Sequence, residues 1–243
     1  MEEYYNPHYY NDDAQVGERC FLDSKDAYME FNADLKSFLL APGKVEADYA
    51  TAAGNSTFNL HNYDAEPMEL ELEFYVGGAS YEDVQTNISK LFLAAKQCII
   101  HKGNDIFEYV SVLTDRESEA TDIEPYHLVT CKFASIRRKP MVENKLYKSS
   151  VIYNDGNTAS GLCITFTPTK KIQSFMISGI TITDLEPDIT YVIDGISGRV
   201  TANGINYFAH TDIIDFPQIK PGKNEIRLSE EIPVTITYYP VYA

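Results

Sequence analysis

The stretch from Tyr191 to Tyr239 constrains the fold of this chain most. Short β-type runs are separated there by Ser197-Gly198, Asn203-Gly204 and Pro221-Gly222. Asn-Gly between alternating apolar residues predicts a two-residue hairpin, because a type I′ turn needs φ > 0 at both central positions. Asp215-Phe216-Pro217 then ends the ladder, since Pro217 has no N–H to donate and holds Phe216 extended. The same punctuation runs through residues 161–243. Further β-type runs fall at 162–167, 175–182, 189–193, 199–201, 206–208, 225–228 and 234–239, with no helical periodicity among them. This pattern predicts a β-sandwich for 161–243.

The preceding residues read differently. Between 19 and 140 the clearest strand is Met68–Phe74, where Met68, Leu70, Leu72 and Phe74 alternate with Glu69, Glu71 and Glu73. Ser80 is placed as a helix N-cap with Asp83 three residues on. Val84, Ile88, Leu91, Phe92 and Ala95 then recur at helical spacing, predicting one amphipathic helix over 81–98 that packs across a sheet. Strand-like content also marks 19–22 and 31–40. Two long strands are predicted at 106–114 and 126–136, joined by an acidic tip from Asp115 to Pro125. The first of these is apolar on both faces (Val110 and Val112; Tyr109 and Leu113), so it is buried twice or meets another subunit. Residues 141–160 are polar and small, and read as a linker with one short strand at 150–153. Residues 1–18 carry Tyr4, Tyr5, Tyr9 and Tyr10 among acidic and amide side chains, an arm that is either a plain extension or a contact with a neighbour. The fold class expected is therefore mainly β: an N-terminal β-sandwich or barrel-like domain with one helix, then a C-terminal β-sandwich.

Composition excludes several functions. A formal net charge of −16 argues against gripping nucleic acid, which needs a Lys/Arg stripe; the basic clusters are only Arg137-Arg138-Lys139 and Lys170-Lys171. No run approaches the ~18 apolar residues of a membrane span. The start MEEYYNPHYYNDD has neither a basic n-region nor an apolar core, so it does not read as a signal peptide, and assembly in a cytoplasm is expected. The four cysteines (Cys20, Cys98, Cys131, Cys163) have no metal-ligand spacing, and the five histidines are scattered. They are read as buried thiols, with no metal and no cofactor. Glu69, Glu71 and Glu73 stand about 7 Å apart along one strand face. They are read as a solvated face balanced by Lys on a neighbouring strand rather than as a cation site. His127 is read as a packed histidine, with no nucleophile beside it.

Several segments together resemble the siphophage distal tail protein (Dit) family of tail-tip or baseplate-hub components. They are the Asp194-Gly195 turn, Gly198-x-Val200-Thr201-x-Asn203-Gly204-x-Asn206-x-Phe208, Thr211-Asp212, Asp215-Phe216-Pro217, Lys220-Pro221-Gly222-x-Asn224 and Val234 to Pro240. The Pro42-Gly43-Lys44-Val45-Glu46 segment, the Glu-rich strand, the single helix, the hairpin ending at Lys139-Pro140 and Asn154-Asp155-Gly156-Asn157 are similar to the rest of that family's pattern. The resemblance covers residues 20–243 and leaves the tyrosine-rich arm outside it. It implies a tail-tube-like, ring-forming domain over 19–140 and a galectin-like sandwich over 161–243. A homo-hexamer would form a hub around the DNA channel of a virion tail tip, joining the tail tube protein to tape-measure or tail-associated tip proteins, in some members with receptor-binding proteins. The role implied is structural and not enzymatic, with DNA passing without specific binding. A contractile phage or a tail-like bacteriocin would use the same architecture. Helix 81–98, hairpin 106–138 and the N-terminal arm are the interface candidates.

Two other classes of function remain open on the residues alone. A carbohydrate-binding sandwich would use Tyr191, Tyr207, Tyr238 and Tyr239 as platforms, Trp being absent. A hydrolase would need two carboxylates such as Asp212 and Asp215 separated by about 5–5.5 Å or 6.5–9.5 Å. Both aspartates equally suit turns.

Overall fold

The computed structural model describes residues 19–50, 59–65 and 67–243, with the backbone alone for 45–50 and 59–65. The N-terminal arm lies outside the described residues. The chain divides into two compact units, residues 1–137 with Ala243, and residues 138–242.

In unit 1 the strands are β1 (Cys20–Leu22), β2 (Lys25–Asp26), β3 (Ala33–Ala41), β4 (Val45–Ala50), β5 (Asn59–Ala65), β6 (Met68–Val76), β7 (Gln97–Lys102), β8 (Glu108–Ala120) and β9 (His127–Arg138). Its helices are α1 (Ala27–Phe31) and α2 (Tyr81–Ala95). One antiparallel sheet runs in the order β2-β1-β7-β8-β9-β6-β3, and β4 pairs β5 apart from it. The alternation of β6 sends Met68, Leu70, Leu72, Phe74 and Val76 into the core and the glutamates to the opposite face. Val84, Ile88, Leu91 and Ala95 of α2 join that core, as the helical spacing requires. Ser80 caps α2 by accepting from the N–H of Asp83 at 3.2 Å. Asn87 Nδ2 donates to the Gly77 carbonyl at 2.9 Å, tying the helix to the end of β6.

Three local expectations are corrected here. The helix ends at Ala95, and residues 97–102, partly assigned to it, form β7 with Cys98 and Ile100 facing the core. An alternation of one-in, one-out past Lys96 outweighs the helical spacing. Part of the 31–40 run is the last turn of α1, capped by Asp26 and ended by Asn32 in the left-handed region at φ 48. The acidic tip is shorter than expected, since β8 continues to Ala120, where the Arg116 guanidinium covers the Phe92 ring of α2 at 4.7 Å.

Unit 2 comprises β10 (Val142–Leu146), β11 (Ser150–Asn154), β12 (Ser160–Phe166), β13 (Ile172–Ile177), β14 (Ile180–Leu185), β15 (Tyr191–Asp194), β16 (Arg199–Ala202), β17 (Ile205–Asn206), β18 (Gln218–Ile219), β19 (Gly222–Ile226) and β20 (Val234–Tyr238). A 7-stranded antiparallel sheet runs β10-β20-β12-β15-β16-β17, with β18 against β12. Facing it are the pairs β11-β19 and β13-β14, bridged through Ile177 and Leu228. Leu162, Ile164 and Phe166 of β12, Tyr191 and Ile193 of β15 and Val234, Ile236 and Tyr238 of β20 fill one core with Phe175 and Ile182 from the other layer. Rings order that core: Phe166 lies 5.1 Å from Phe175 and stacks on Tyr191 at 5.6 Å.

Residues 142–146, expected in the linker, are a full strand of the larger sheet, paired with 234–238. Val142 and Leu146 pack against the core while Glu143 and Lys145 face outward. The polar composition hid a period-two pattern, and only pairing with a distant strand reveals it. The Asn203-Gly204 hairpin forms as its chemistry demands, with φ 45 and 81.

Candidate functional site

The residues proposed for chemistry are mostly engaged in holding the fold. Asp212 accepts the Thr181 N–H at 2.6 Å, and its own N–H donates to the Thr181 carbonyl at 3.2 Å. The N–H that Thr181 donates to it holds the Asp212 carboxyl below the usual carboxylate range, the reverse of what a general acid needs. Asp215 is exposed two residues before Pro217. Asp194 caps the β15-β16 turn by accepting from Ile196 N–H, Ser197 N–H and Ser197 Oγ. Burial pushes its carboxyl up, but the Ser197 hydroxyl and the two N–H groups outweigh that and hold it low.

The tyrosines offered as sugar platforms are corrected by their burial. Tyr191 and Tyr238 are each 1% exposed, with hydroxyls bonded to the Glu186 N–H and the Tyr153 carbonyl. Tyr207 donates to the Asp184 carbonyl at 2.8 Å and is stacked on His210 at 4.1 Å. Tyr239 lies under the Arg138 guanidinium at 3.7 Å. Tyr191 and Tyr238 therefore present no ring to solvent, and Tyr207 and Tyr239 each have one ring face covered. Aromatic residues in alternating strands are placed by the core first, and period two alone does not reveal which face is outward.

Cys20, Cys98 and Cys131 are buried in unit 1 and are free thiols. Burial pushes the Cys98 and Cys131 thiols up to about 12 and raises Cys20 as well. Such thiols are poor nucleophiles at neutral pH. Among the described residues no group of three His, Cys, Asp or Glu is placed to hold a metal ion, and no helix is long and apolar enough to cross a membrane. His127 is buried, with Nδ1 3.1 Å from Ser118 Oγ and its ring 5.8 Å from Tyr81. The glutamates of β6 meet lysines from neighbouring strands: Glu73 pairs with Lys36 at 3.3 Å and Glu71 with Lys132 at 3.9 Å. Lys139 pairs with Asp155, while Lys170 and Lys171 pair with Glu230 and Glu186.

What remains are surfaces. The face of the unit 1 sheet opposite α1 and α2 carries this ladder of charges and also exposed apolar residues, Leu39 (58% exposed), Val112 and Ile136. A groove of ≈ 740 Å³ opens there between Leu39, Ala41, Pro67, Ala134 and Lys132. The sequence showed this face as the second apolar side of β8; its extension to Leu39 depends on the sheet order, which no local pattern gives. Helix α2 adds Leu93, 77% exposed, on its far side. In unit 2 a cleft of ≈ 450 Å³ lies at the β16-β17 hairpin, lined by Arg199, Thr201, Asn206 and Phe208.

The fold of this chain, a helix-backed antiparallel sheet followed by a β-sandwich, is Dit-like. It superposes on SPP1 Dit (gp 19.1), described as a paradigm of the hub adsorption apparatus in phages that infect Gram-positive hosts, with a TM-score of 0.73 over 93% of this chain and 99% of that one. Sequence identity is 14%, so the likeness is one of fold. A chain of the phage P2 baseplate in its Ca-activated conformation gives a TM-score of 0.46 at 11% identity, over 83% and 90% of the two chains. No protein-family model and no curated protein matches the sequence.

Proposed function

We propose that this protein is a structural hub of a bacteriophage tail tip, a virion component that joins the tail tube to the baseplate. The observation that carries the reading is the likeness in fold to SPP1 Dit across nearly the whole of both chains. In this reading unit 1 assembles as a homo-hexameric ring through which DNA passes, and unit 2 supplies surface for tip or receptor-binding proteins. The role is non-enzymatic, which agrees with aspartates and thiols occupied by the fold.

The helix-free face of the unit 1 sheet suits assembly. It combines exposed Leu39, Val112 and Ile136 with paired charges, the mixture found where copies of a subunit meet. An acidic chain suits a channel wall that DNA crosses without adhering, because phosphate binding requires unpaired Lys and Arg.

Mass photometry tests the reading. A dominant species at six times the 27.4 kDa chain mass, with rings in negative stain, is expected. Val112→Glu places a charge on the apolar face and is expected to remove the ring while changing unit 1 stability by no more than about 0.5 kcal/mol, the usual range for a surface substitution. A strict monomer at every concentration, without rings, sinks the proposal.

A further inference from the structure

We infer that residues 207–212 form a detachable strap over one edge of β14, with the Asp212 carboxylate as its acid-sensitive latch, a device that does not depend on the tail-tip reading. On one side β14 pairs with β13. On the other side the backbone groups of Thr181 and Thr183 turn outward, as alternation in an antiparallel ladder requires. The run Ile180-Thr181-Ile182-Thr183 is made of β-branched residues. Left bare, an edge of that kind is a template for pairing with another chain.

The strap occupies that edge. Asp212 donates its N–H to the Thr181 carbonyl at 3.2 Å and accepts the Thr181 N–H on Oδ1 at 2.6 Å. Thr211 forms a β-bridge with Ile182. The Tyr207 hydroxyl is set to donate to the Thr183 and Asp184 carbonyls, at 3.2 and 2.8 Å, and the Thr183 hydroxyl donates to the His210 carbonyl at 3.3 Å. Little apolar burial adds to these bonds. The 3-10 turn at Phe208–His210 contains no buried residue, and Ile214 just beyond the strap is 94% exposed. Tyr207 packs on Tyr191 at 5.3 Å. Beneath the strap, Ile182 and Phe175 are fully buried in the core of unit 2. A segment held by polar contacts opens locally at lower free energy than such a core unfolds.

Charge decides which contact is the latch. The bond from the Thr181 N–H to the Asp212 carboxylate is short and charge-assisted, and it holds that carboxyl below its ordinary range. Its contribution is fully present above the unfolded value of about 3.9 and is lost as pH falls through the folded value. Thr181 is the group that faces this carboxyl from β14, and Asp215 and Glu225 line the same depression. The other titratable pair acts in the opposite direction. His210 Nδ1 stands 3.5 Å from Asp184 Oδ2, and Lys171, itself paired with Glu186, acts on the same carboxylate. The Tyr207 phenol, stacked on His210, also meets the fields of Asp184, Glu186 and Tyr191. Protonating His210 adds an ion pair to Asp184 and tightens the strap, but both side chains are exposed, and exposed pairs contribute little. Acid therefore loosens the strap and bares the edge of β14.

Hydrogen exchange with mass spectrometry and residue-level fragmentation, on the full chain, tests this. The amides of residues 210–212 report on the strap, whereas Thr181 is left out because it bonds to Asp212 directly. Asp212→Ala is expected to lower their protection about tenfold at neutral pH, the scale of one hydrogen bond to a charged group. Residues 164–166 of β12 should keep theirs. Asp212→Asn retains an oxygen acceptor and does not titrate. It should restore most of the protection and hold it as pH falls below about 3.9, where the wild type progressively loses it. If Asp212→Ala fails to fold, the acid profiles of the wild type and Asp212→Asn decide the matter. Unchanged protection of 210–212 in Asp212→Ala overturns the inference. So does a loss that spreads equally to 164–166, which is unfolding of the sandwich rather than release of a strap. An Asp212→Asn profile that coincides with the wild type in acid overturns it as well.

Discussion

The two units bury apolar surface in different ways. Unit 1 has a single large sheet, and helices cover one of its faces; the opposite face keeps Leu39, Val112 and Ile136 in solvent. Unit 2 folds its second layer of strands over the first, so each sheet contributes an inner face to a shared core; the outer face of the larger sheet carries Thr165, Asp194, Arg199, Thr201, Thr235 and Thr237, and that of the smaller layer keeps Val151, Tyr153 and Met176 exposed. A sandwich completes itself with its own chain. A sheet with one backed face leaves its other side for something else to cover, and the side left uncovered here is where subunits are proposed to meet. The difference teaches that assembly capacity is built into topology before any particular interface residue is chosen.

Truncating each core breaks this comparison most directly. Phe175→Ala removes a fully buried ring from unit 2 and is expected to lower its stability by about 3–5 kcal/mol. Hydrogen exchange with mass spectrometry reads the result unit by unit, which is necessary because the chain has no Trp to report on either one. Protection should fall throughout 138–242 and hold in 19–137. An equal fall in both would mean that the two cores are one cooperative system. Leu91→Ala, fully buried in α2, is the converse experiment, with about 2–5 kcal/mol lost from unit 1 alone.

Smaller effects sharpen the contrast. Ser80→Ala deletes the cap of α2 and is expected to cost unit 1 about 1 kcal/mol, measured as a shift in its urea midpoint. Thiol labelling at pH 8 in the native state should modify Cys163, which is only half-buried, while Cys20, Cys98 and Cys131 react after unfolding. Rapid native labelling of Cys98 would contradict its burial. Glu71→Gln, at a half-buried partner of Lys132, is expected to change stability by less than about 1 kcal/mol.

Two carboxyls of unit 2 make its stability depend on pH on the acid side. The folded-state pKa of Asp194 lies below its ordinary value, so its contribution is fully present above the unfolded value of about 3.9 and is lost as pH falls through the folded value. Asp212 acts in the same direction. Asp194→Asn should therefore flatten the loss of unit 2 protection below about pH 4 relative to wild type. An unchanged acid profile would show that the turn bonds to Ile196 and Ser197 do not matter for stability.

Much of this fold was legible wherever a single local rule governs the backbone. Ser80 with its apolar stripe specified α2, strict alternation specified β6, and Asn203-Gly204 specified a hairpin whose two positive φ values follow from steric limits on other residues. Legibility failed where two periods overlap or where the partner is distant. Cys98 and Ile100 continue a helical stripe but belong to β7, and Val142–Leu146 becomes a strand only because Val234–Tyr238 lies beside it. The site was less legible than the fold. Tyr191 and Tyr238 carry the right chemistry for a platform and face inward, whereas Leu39 joins the exposed face of unit 1 only because β3 pairs with β6.

The position of β20 has a consequence for synthesis. It lies between β10 and β12, yet it is the last strand of that sheet to leave the ribosome. A nascent chain that has reached Ile232 holds β1 to β9 but lacks the middle of the larger sheet of unit 2, leaving β10 and β12 with open edges. Unit 1 is then free to fold during translation, while unit 2 waits for residues 234–238. A ribosome stalled shortly before them would display a finished first unit and a second one exposed to aggregation through its unpaired strands.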